Sequence, residues 1–382
     1  MIALLYLFTA FATLSLTASL PKTDYDVIVV GGGPSGLSAV SGLSRVLRKT
    51  VMFDSGEYRN APTRNMHDVI GNDGTVPSEF RDLARKQIAR YNSSTFVDTK
   101  VATIDFVNNS FLATDVNGKK YTARKVILGT GLRDVLPPIP GLEEAWGKGV
   151  YWCPWCDGFE HRDQPLGILG PMKDIMGSVL EVYSTLNKDI IAFVSGTQTE
   201  EQEAILDKAH PNWREVIASY GIKLDNRTIT EIERVQDGEA HQDSQGRQFD
   251  IFRLHFDQGD PVIRNAFLTN FPTEQRSSLS TEMGLQMLGN KIDSLAKGLR
   301  TSKTGVWAVG DANSDNSTNV PHAMSSGKTA AVYAHVEMAN EEAEAAISKR
   351  TSTLSARELR KDTERRMGHE LEDLYDTLRR RD

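Results

Sequence analysis

The chain of 382 residues is too long for one small core and predicts about two domains. Its 39% hydrophobic and 25% charged residues are ordinary for a soluble globular protein. A formal net charge of −7 repels phosphate backbones and argues against a nucleic-acid partner.

The first segment, MIALLYLFTAFATLSLTASLPK, has no charged side chain before Lys22. The apolar run from Ile2 to Leu16 has the length of a signal-peptide core and is short for a membrane-spanning helix. Thr17, Ala18 and Ser19 supply small residues near a cleavage point, although no Lys or Arg precedes the run. Residues 1–20 are therefore expected to be a secretory signal. The mature protein is then secreted or in the secretory pathway, with no membrane anchor. Four Asn-x-Ser/Thr sequons, at Asn92, Asn108, Asn226 and Asn316, fit a glycoprotein of that compartment.

TDYDVIVVGGGPSGLSAVSGLSRVLRKTVMFDSG (23–56) reads as strand, turn, helix, strand. Val27 to Val30 is a continuous apolar run, as in a buried parallel strand. Gly31, Gly33 and Gly36 form GxGxxG, with Pro34 and Ser35 opening the helix. The glycines allow a tight turn and close approach of a pyrophosphate, whose charge a helix N-terminus stabilises. Asp54 closes the second strand, where it would accept hydrogen bonds from a ribose. The pattern predicts a dinucleotide site without choosing between NAD and FAD.

RNAPTRNMHDVIGNDG (59–74) follows, then an amphipathic helix near Pro77 to Arg90 and short strands around Val101 to Tyr121. KVILGTGLRDVLPPIPG (125–141) is a strand, a Gly-Thr-Gly turn and a proline-rich stretch that marks a boundary. WCPWCDG (152–158) carries Cys153 and Cys156, the only two cysteines. A second αβ unit begins at PLGILG (165–170), and the region to about Asn265 is expected to alternate helix and strand. TGVWAVGDA (304–312) precedes an apolar-faced helix. In the charged tail, Ser355 and Glu358 suit a capping box, and Met367, Leu371, Leu374 and Leu378 share a helical face.

GGGPSG, CxxCDG, VGDA and the small-residue helix after it, in that order, resemble the low-molecular-weight thioredoxin reductase family of FAD flavoproteins. The similarity runs from Asp24 to about Asn340. It implies an α/β protein of two three-layer nucleotide-binding domains. The FAD domain (24–145 and 263–345) is split by an inserted central domain (146–262) of degenerate NAD(P) type carrying the CxxC. Residues 346–382 are left as a charged C-terminal helix. It also implies FAD as cofactor, Gly310 and Asp311 on the flavin ribityl chain, and a homodimer.

A structural disulfide across so short a loop would constrain the unfolded chain by only about 2 kcal/mol. A closed structural zinc site needs four ligands, and neither a second cysteine pair nor His161 alone completes one. A redox-active dithiol fits better. By the resemblance, Cys156 faces the flavin, Cys153 is the interchange thiol, and Asp157 shuttles a proton to or from the departing thiolate. The same position would also suit Asp157 as a helix cap. Trp152 and Trp155 either shape a substrate surface or pack. His322, in NVPHAM, is expected near the flavin, where a neutral imidazole could deprotonate a thiol.

A thioredoxin reductase also needs NADPH. In GILGPMKDIMGS (167–178), Gly170 is kept, but Met172 and Ile175 stand in place of the second and third glycines. FVSGTQTEEQEA (193–204) has no cation for a 2′-phosphate, and Glu200, Glu201 and Glu203 would repel one. The expected activity is therefore FAD-dependent thiol oxidation, with small thiols such as glutathione as donors and molecular oxygen as acceptor. The alternatives are a dithiol oxidase closing a gliotoxin-type epidithiodiketopiperazine, an NADPH-dependent thioredoxin reductase, and a non-catalytic flavin-binding scaffold.

Overall fold

The structure, a computed structural model, describes residues 20–294 and 297–379. All but the last residue of the expected signal segment lies outside the described residues.

β1 (Tyr25–Val30), α1 (Pro34–Ser44) and β2 (Thr50–Phe53) form the first βαβ unit. α2 (Pro77–Ala89), β3 (Ser94–Val97), β4 (Val101–Val107), β5 (Ser110–Asp115) and β6 (Lys120–Leu128) follow. The sheet order is β3-β2-β1-β6-β5-β4. β1 runs parallel to both β2 and β6, pairing Val27 with Thr50 and with Lys125. The apolar run Val27–Val30 is buried because this strand is covered on both faces. Strand Val306–Ala308, far along the chain, joins the same sheet beside β6.

Between these two parts lies a second, all-parallel sheet. Its strands, in spatial order, are Lys223–Asp225, Ile190–Phe193, Leu166–Leu169, Ala266–Thr269 and Val150–Tyr151. The fold is thus α/β with two nucleotide-binding-type sheets, the first split by insertion of the second. The two connections between them run side by side, Leu132–Asp134 pairing antiparallel with Thr273–Gln275.

Three details differ from the sequence reading. The boundary at 262/263 falls too early, because Ala266–Thr269 pairs with Leu166–Leu169 inside the central sheet. The helix–strand alternation ends with strand Lys223–Asp225. Ile229–Gln236, Ile251–Phe256 and Val262–Arg264 then form an antiparallel three-stranded sheet. Ser355 caps no helix, since Val320–Arg379 is one continuous helix. No Gly or Pro interrupts the chain between Gly327 and Gly368, so nothing there ends the helix. The side chains of Met367, Leu371, Leu374 and Leu378 lie outside the described residues.

Close backbone approach sets the first turn. Gly31 has φ +118°, and a Cβ on it would lie 2.1 Å from the Gly129 carbonyl oxygen. A Cβ on Gly36 would lie 1.8 Å from the Gly31 carbonyl oxygen. The helix therefore seats directly on the turn. Gly36→Ala is expected to cost about 1–3 kcal/mol through backbone displacement, read as a lower urea midpoint with an unchanged m-value. An unaltered midpoint would mean that this approach is not a constraint.

Candidate active site

A cleft enclosing about 1360 Å³, open mouth included, runs from the first turn to the cysteine pair. Gly31, Gly33, Pro34 and Ser35 line one end, Cys156 and Asp157 another, and Asp311 and the Gly129–Gly131 turn lie along it. Gly36 does not line the cleft; it supports the turn from beneath.

The residues present fit a bound dinucleotide. α1 begins with no side-chain cap, so the amides of its first turn are free to receive an anion. A Cβ on Gly33 would meet nothing within 4 Å, leaving open space in front of that helix end. Gly310 (φ +65°) is held by its N–H donating to Ser326 Oγ at 2.9 Å, which aims Asp311 at the cleft.

Asp54 sits differently from the expected ribose ligand. It is buried and does not line the cleft. Its oxygens accept from Gly56 N (3.0 Å), Tyr58 Oη (2.7 Å) and Arg85 (3.1 Å). Ser55 and Glu57 occupy the cleft wall beside it. A Cβ on Gly32 would lie 1.9 Å from the Asp54 carboxylate, so the middle glycine of the GGG run is required too.

Sequence reasoning missed Arg59. Its guanidinium bridges Asp134 (2.7 and 3.0 Å) and Asp311 (3.0 Å) and lies 5.2 Å from the Trp152 ring centroid. Those carboxylates hold its proton more firmly than usual, outweighing burial. Trp152 in turn stacks on Trp146, centroids 5.0 Å apart, and so is fixed against the cleft wall.

Cys153 and Cys156 are joined as a disulfide with Cα atoms 5.2 Å apart. Pro154–Gly158 is one π-helical turn starting just after Cys153. This turn presents Cys156 to the cleft while Cys153 lies outside its lining. Trp155 points outward, 67% exposed, so it does not screen the disulfide. Loss of hydration pushes the Asp157 carboxyl up to about 7, with Glu160 adding to the rise and His161, His67 and Arg64 opposing it.

The turn is pinned from behind. His161 Nδ1 donates to the Asp157 carbonyl (2.8 Å) and its Nε2 faces Asp250 Oδ2 at 3.3 Å. Asp250 is fully buried and accepts from Arg64 (2.9 and 3.0 Å), Arg234 and Gly238 N (2.9 Å). These donors hold its carboxyl well below the usual range despite burial.

His322 is not at the cleft. Its Nε2 lies 2.7 Å from Asp315 Oδ2 without hydrogen-bond geometry. The imidazole that does line the cleft, beside Cys156 and Asp157, is His67.

The second glycine turn departs from the dinucleotide pattern. Met172 and Ile175 are fully buried in the core of the central sheet. The Met172 amide is already donated to Thr197 Oγ1 at 2.9 Å. Asp174 sits at the start of the helix Ile175–Val182, placing a negative charge where a phosphate would dock. Glu200, Glu201 and Glu203 occupy the first turn of a helix capped by Thr199, where acids favour the helix.

Residues 25–176 match the pyridine nucleotide-disulphide oxidoreductase family. A probable thioredoxin reductase of Arthroderma benhamiae is 50% identical, covering 93% of this chain and 90% of that protein. Thioredoxin reductase tcpT of Claviceps purpurea is 31% identical, covering 82% and 94%. The chain belongs to the thioredoxin reductase-like FAD flavoproteins. Among solved structures, HlmI superposes with TM-score 0.73 at 27% identity, covering 86% of this chain and 97% of that one. Putative thioredoxin reductase TrxB of Bacillus anthracis, at 24% identity and TM-score 0.72 over 83% and 99%, shares the fold.

In this flavoprotein, folding raises the proton affinity of Asp157. That contribution to stability is complete below about pH 4 and is lost as pH rises through about 7. Asp157→Asn is expected to be about 1–3 kcal/mol more stable than the parent at pH 8, with the gap closing toward pH 4. Chemical denaturation at both pH values checks this; a pH-independent gap would place the carboxylate in water.

Proposed function

We propose that this flavoprotein is a thiol oxidase that converts two thiols and molecular oxygen to a disulfide and hydrogen peroxide. The observation that carries the reading is the lost glycine pattern at the second nucleotide turn, with the Met172 amide tied to Thr197, while the Cys153–Cys156 disulfide stands at the flavin cleft. With Met172 and Ile175 in place of the second and third glycines and Asp174 at the helix start, a nicotinamide dinucleotide is disfavoured, and reducing equivalents enter as thiols.

A substrate sulfur attacks Cys153 Sγ, which does not line the cleft. The Cys153–Cys156 bond breaks, its electron pair passes to Cys156, and Asp157 takes or returns the accompanying proton. A second thiol displaces Cys153, releasing the product disulfide and leaving a dithiol. Bound FAD would supply the two-electron acceptor for that dithiol, and in turn the donor to oxygen, so that the Cys153–Cys156 disulfide forms again and its two protons leave. Gly31, Gly33, Pro34, Ser35 and Asp311 would hold it, with Gly36 and Gly310 shaping their turns.

The direction suits an oxidising compartment, as the expected signal segment would require. All four sequon asparagines, Asn92, Asn108, Asn226 and Asn316, are exposed, which supports a secreted glycoprotein. Small thiols such as glutathione are the proposed donors. A homodimer follows from the family resemblance.

The names of the fungal relatives favour a second reading, an NADPH-linked reductase. Oxygen uptake separates the two. With glutathione or dithiothreitol alone, uptake and peroxide formation are expected; with NADPH alone, neither is. Flavin reduction by NADPH without a response to thiols would overturn the oxidase reading. Cys153→Ser is expected to keep its yellow flavin and lose at least 100-fold in thiol-dependent uptake, since no mixed disulfide can form. Full activity in that variant would rule out the disulfide relay.

A further inference from the structure

The chemistry above leaves one requirement unmet, and this inference rests on that reading. Oxidation of two thiols yields two electrons and two protons. The electrons leave through the dithiol, but each proton is taken up by Asp157, half-buried in the cleft wall. Asp157 must be emptied before it can serve the next thiol.

The loop between β2 and α2 supplies a way out. His67 lines the same cleft as Cys156 and Asp157. Its Nε2 is 3.6 Å from Glu160 Oε1, and its Nδ1 is 3.6 Å from Asp73 Oδ1. Glu160 lies three residues after Asp157, just past the π-helical turn. Its Oε2 is buried and has no hydrogen-bond partner. The Asp73 side chain is 69% exposed. Titratable groups therefore lead from Glu160 through His67 to water, beginning at the cleft that Cys156 and Asp157 also line. Both 3.6 Å gaps exceed a hydrogen bond by a few tenths of an ångström, a distance that a ring shift or one bridging water closes.

We propose that His67 completes a proton route from Cys156 through Asp157 and Glu160 to Asp73 and solvent. In each turnover the substrate S–H bond breaks as the new S–S bond forms, and the proton passes to Asp157. It moves through Glu160 to the imidazole and is released at Asp73. No oxidant or reductant is needed for this transfer.

The charged and titratable groups around the pair come from three elements. The loop contributes Arg64, Asp68 and Asp73. The cysteine turn and the residues after it contribute Asp157, Glu160 and His161. Strand Val150–Tyr151 contributes Tyr151, whose buried hydroxyl has no hydrogen-bond partner. Protonated His67 favours ionised Asp157, whereas Glu160 disfavours it. Deleting the two should therefore move the pH profile in opposite directions, which a packing role would not do.

The test is anaerobic flavin bleaching by dithiothreitol, followed from pH 5.5 to 8.5 in the FAD-loaded protein. His67→Ala is expected to bleach about 10- to 100-fold more slowly, with its acid limb at higher pH and the rate raised by added imidazole. Glu160→Gln is expected to shift that limb to lower pH. An unchanged flavin spectrum and one disulfide per chain establish that each variant is folded. If the variant does not fold, His67→Gln, which keeps the side-chain volume, takes its place, with the pH shift as readout. A wild-type rate in the His67 variant, or a slow rate with no pH shift and no imidazole response, would overturn the route alone. Failure of the wild type to bleach would overturn the thiol reading and the route with it.

Discussion

The carboxylate of Asp250 holds the site together. It is wholly buried, and such a charge is tolerable only when several donors replace its lost hydration. Arg64 comes to it from the loop after β2, Arg234 from the antiparallel sheet, and His161 from the segment just after the cysteine turn. Because His161 also grips the Asp157 carbonyl, one buried anion fixes the cysteine turn relative to a loop that lines the flavin cleft. Removing it would leave buried cations uncompensated, a change that commonly costs 3–5 kcal/mol.

The same loop does three jobs with residues a few positions apart. Arg59 ties Asp311 to Asp134, Arg64 pins the central domain, and His67 lines the cleft that Cys156 also lines. An irregular segment can aim consecutive side chains in unrelated directions, which neither helix nor strand permits. That freedom lets the loop bring His67 to the cleft, and the ion pairs of Arg59 and Arg64 restrain its mobility.

What was legible in the sequence depended on local spacing. The strand, glycine turn and helix of residues 25–44 follow from backbone geometry, and Gly31 and Gly36 each answer to a contact within that unit or its neighbour. The altered second turn was legible for the same reason, since Met172 and Ile175 replace glycines at fixed offsets. Arg59, Arg64 and His67 were not legible. Arg64 and Asp250 are separated by 186 positions, and Arg59 and Asp311 by 252, so no periodicity links them. The only hint was three basic side chains in RNAPTRNMHD, an otherwise featureless stretch. His322 misled for the converse reason. It neighbours cleft residues Asn319 and Val320 in sequence, yet the start of the long helix carries its ring to Asp315 instead. Asp54 was placed correctly at the end of β2, but Tyr58 and Arg85, brought in by the loop and α2, engage its oxygens.

These constraints bear on the direction of electron flow. A reductase of this architecture must admit a dinucleotide at the second turn, and here the Met172 amide is already donated to Thr197. Binding one would compete with that hydrogen bond and set a phosphate beside Asp174, two unfavourable terms of the same sign. At the other end, the disulfide already stands at the cleft and is held there through Asp250. The proposed thiol-to-flavin path thus starts from a disulfide already in place, whereas a nicotinamide path would have to displace a hydrogen bond and oppose the Asp174 charge. That asymmetry is what supports thiols as donors under the proposed reading.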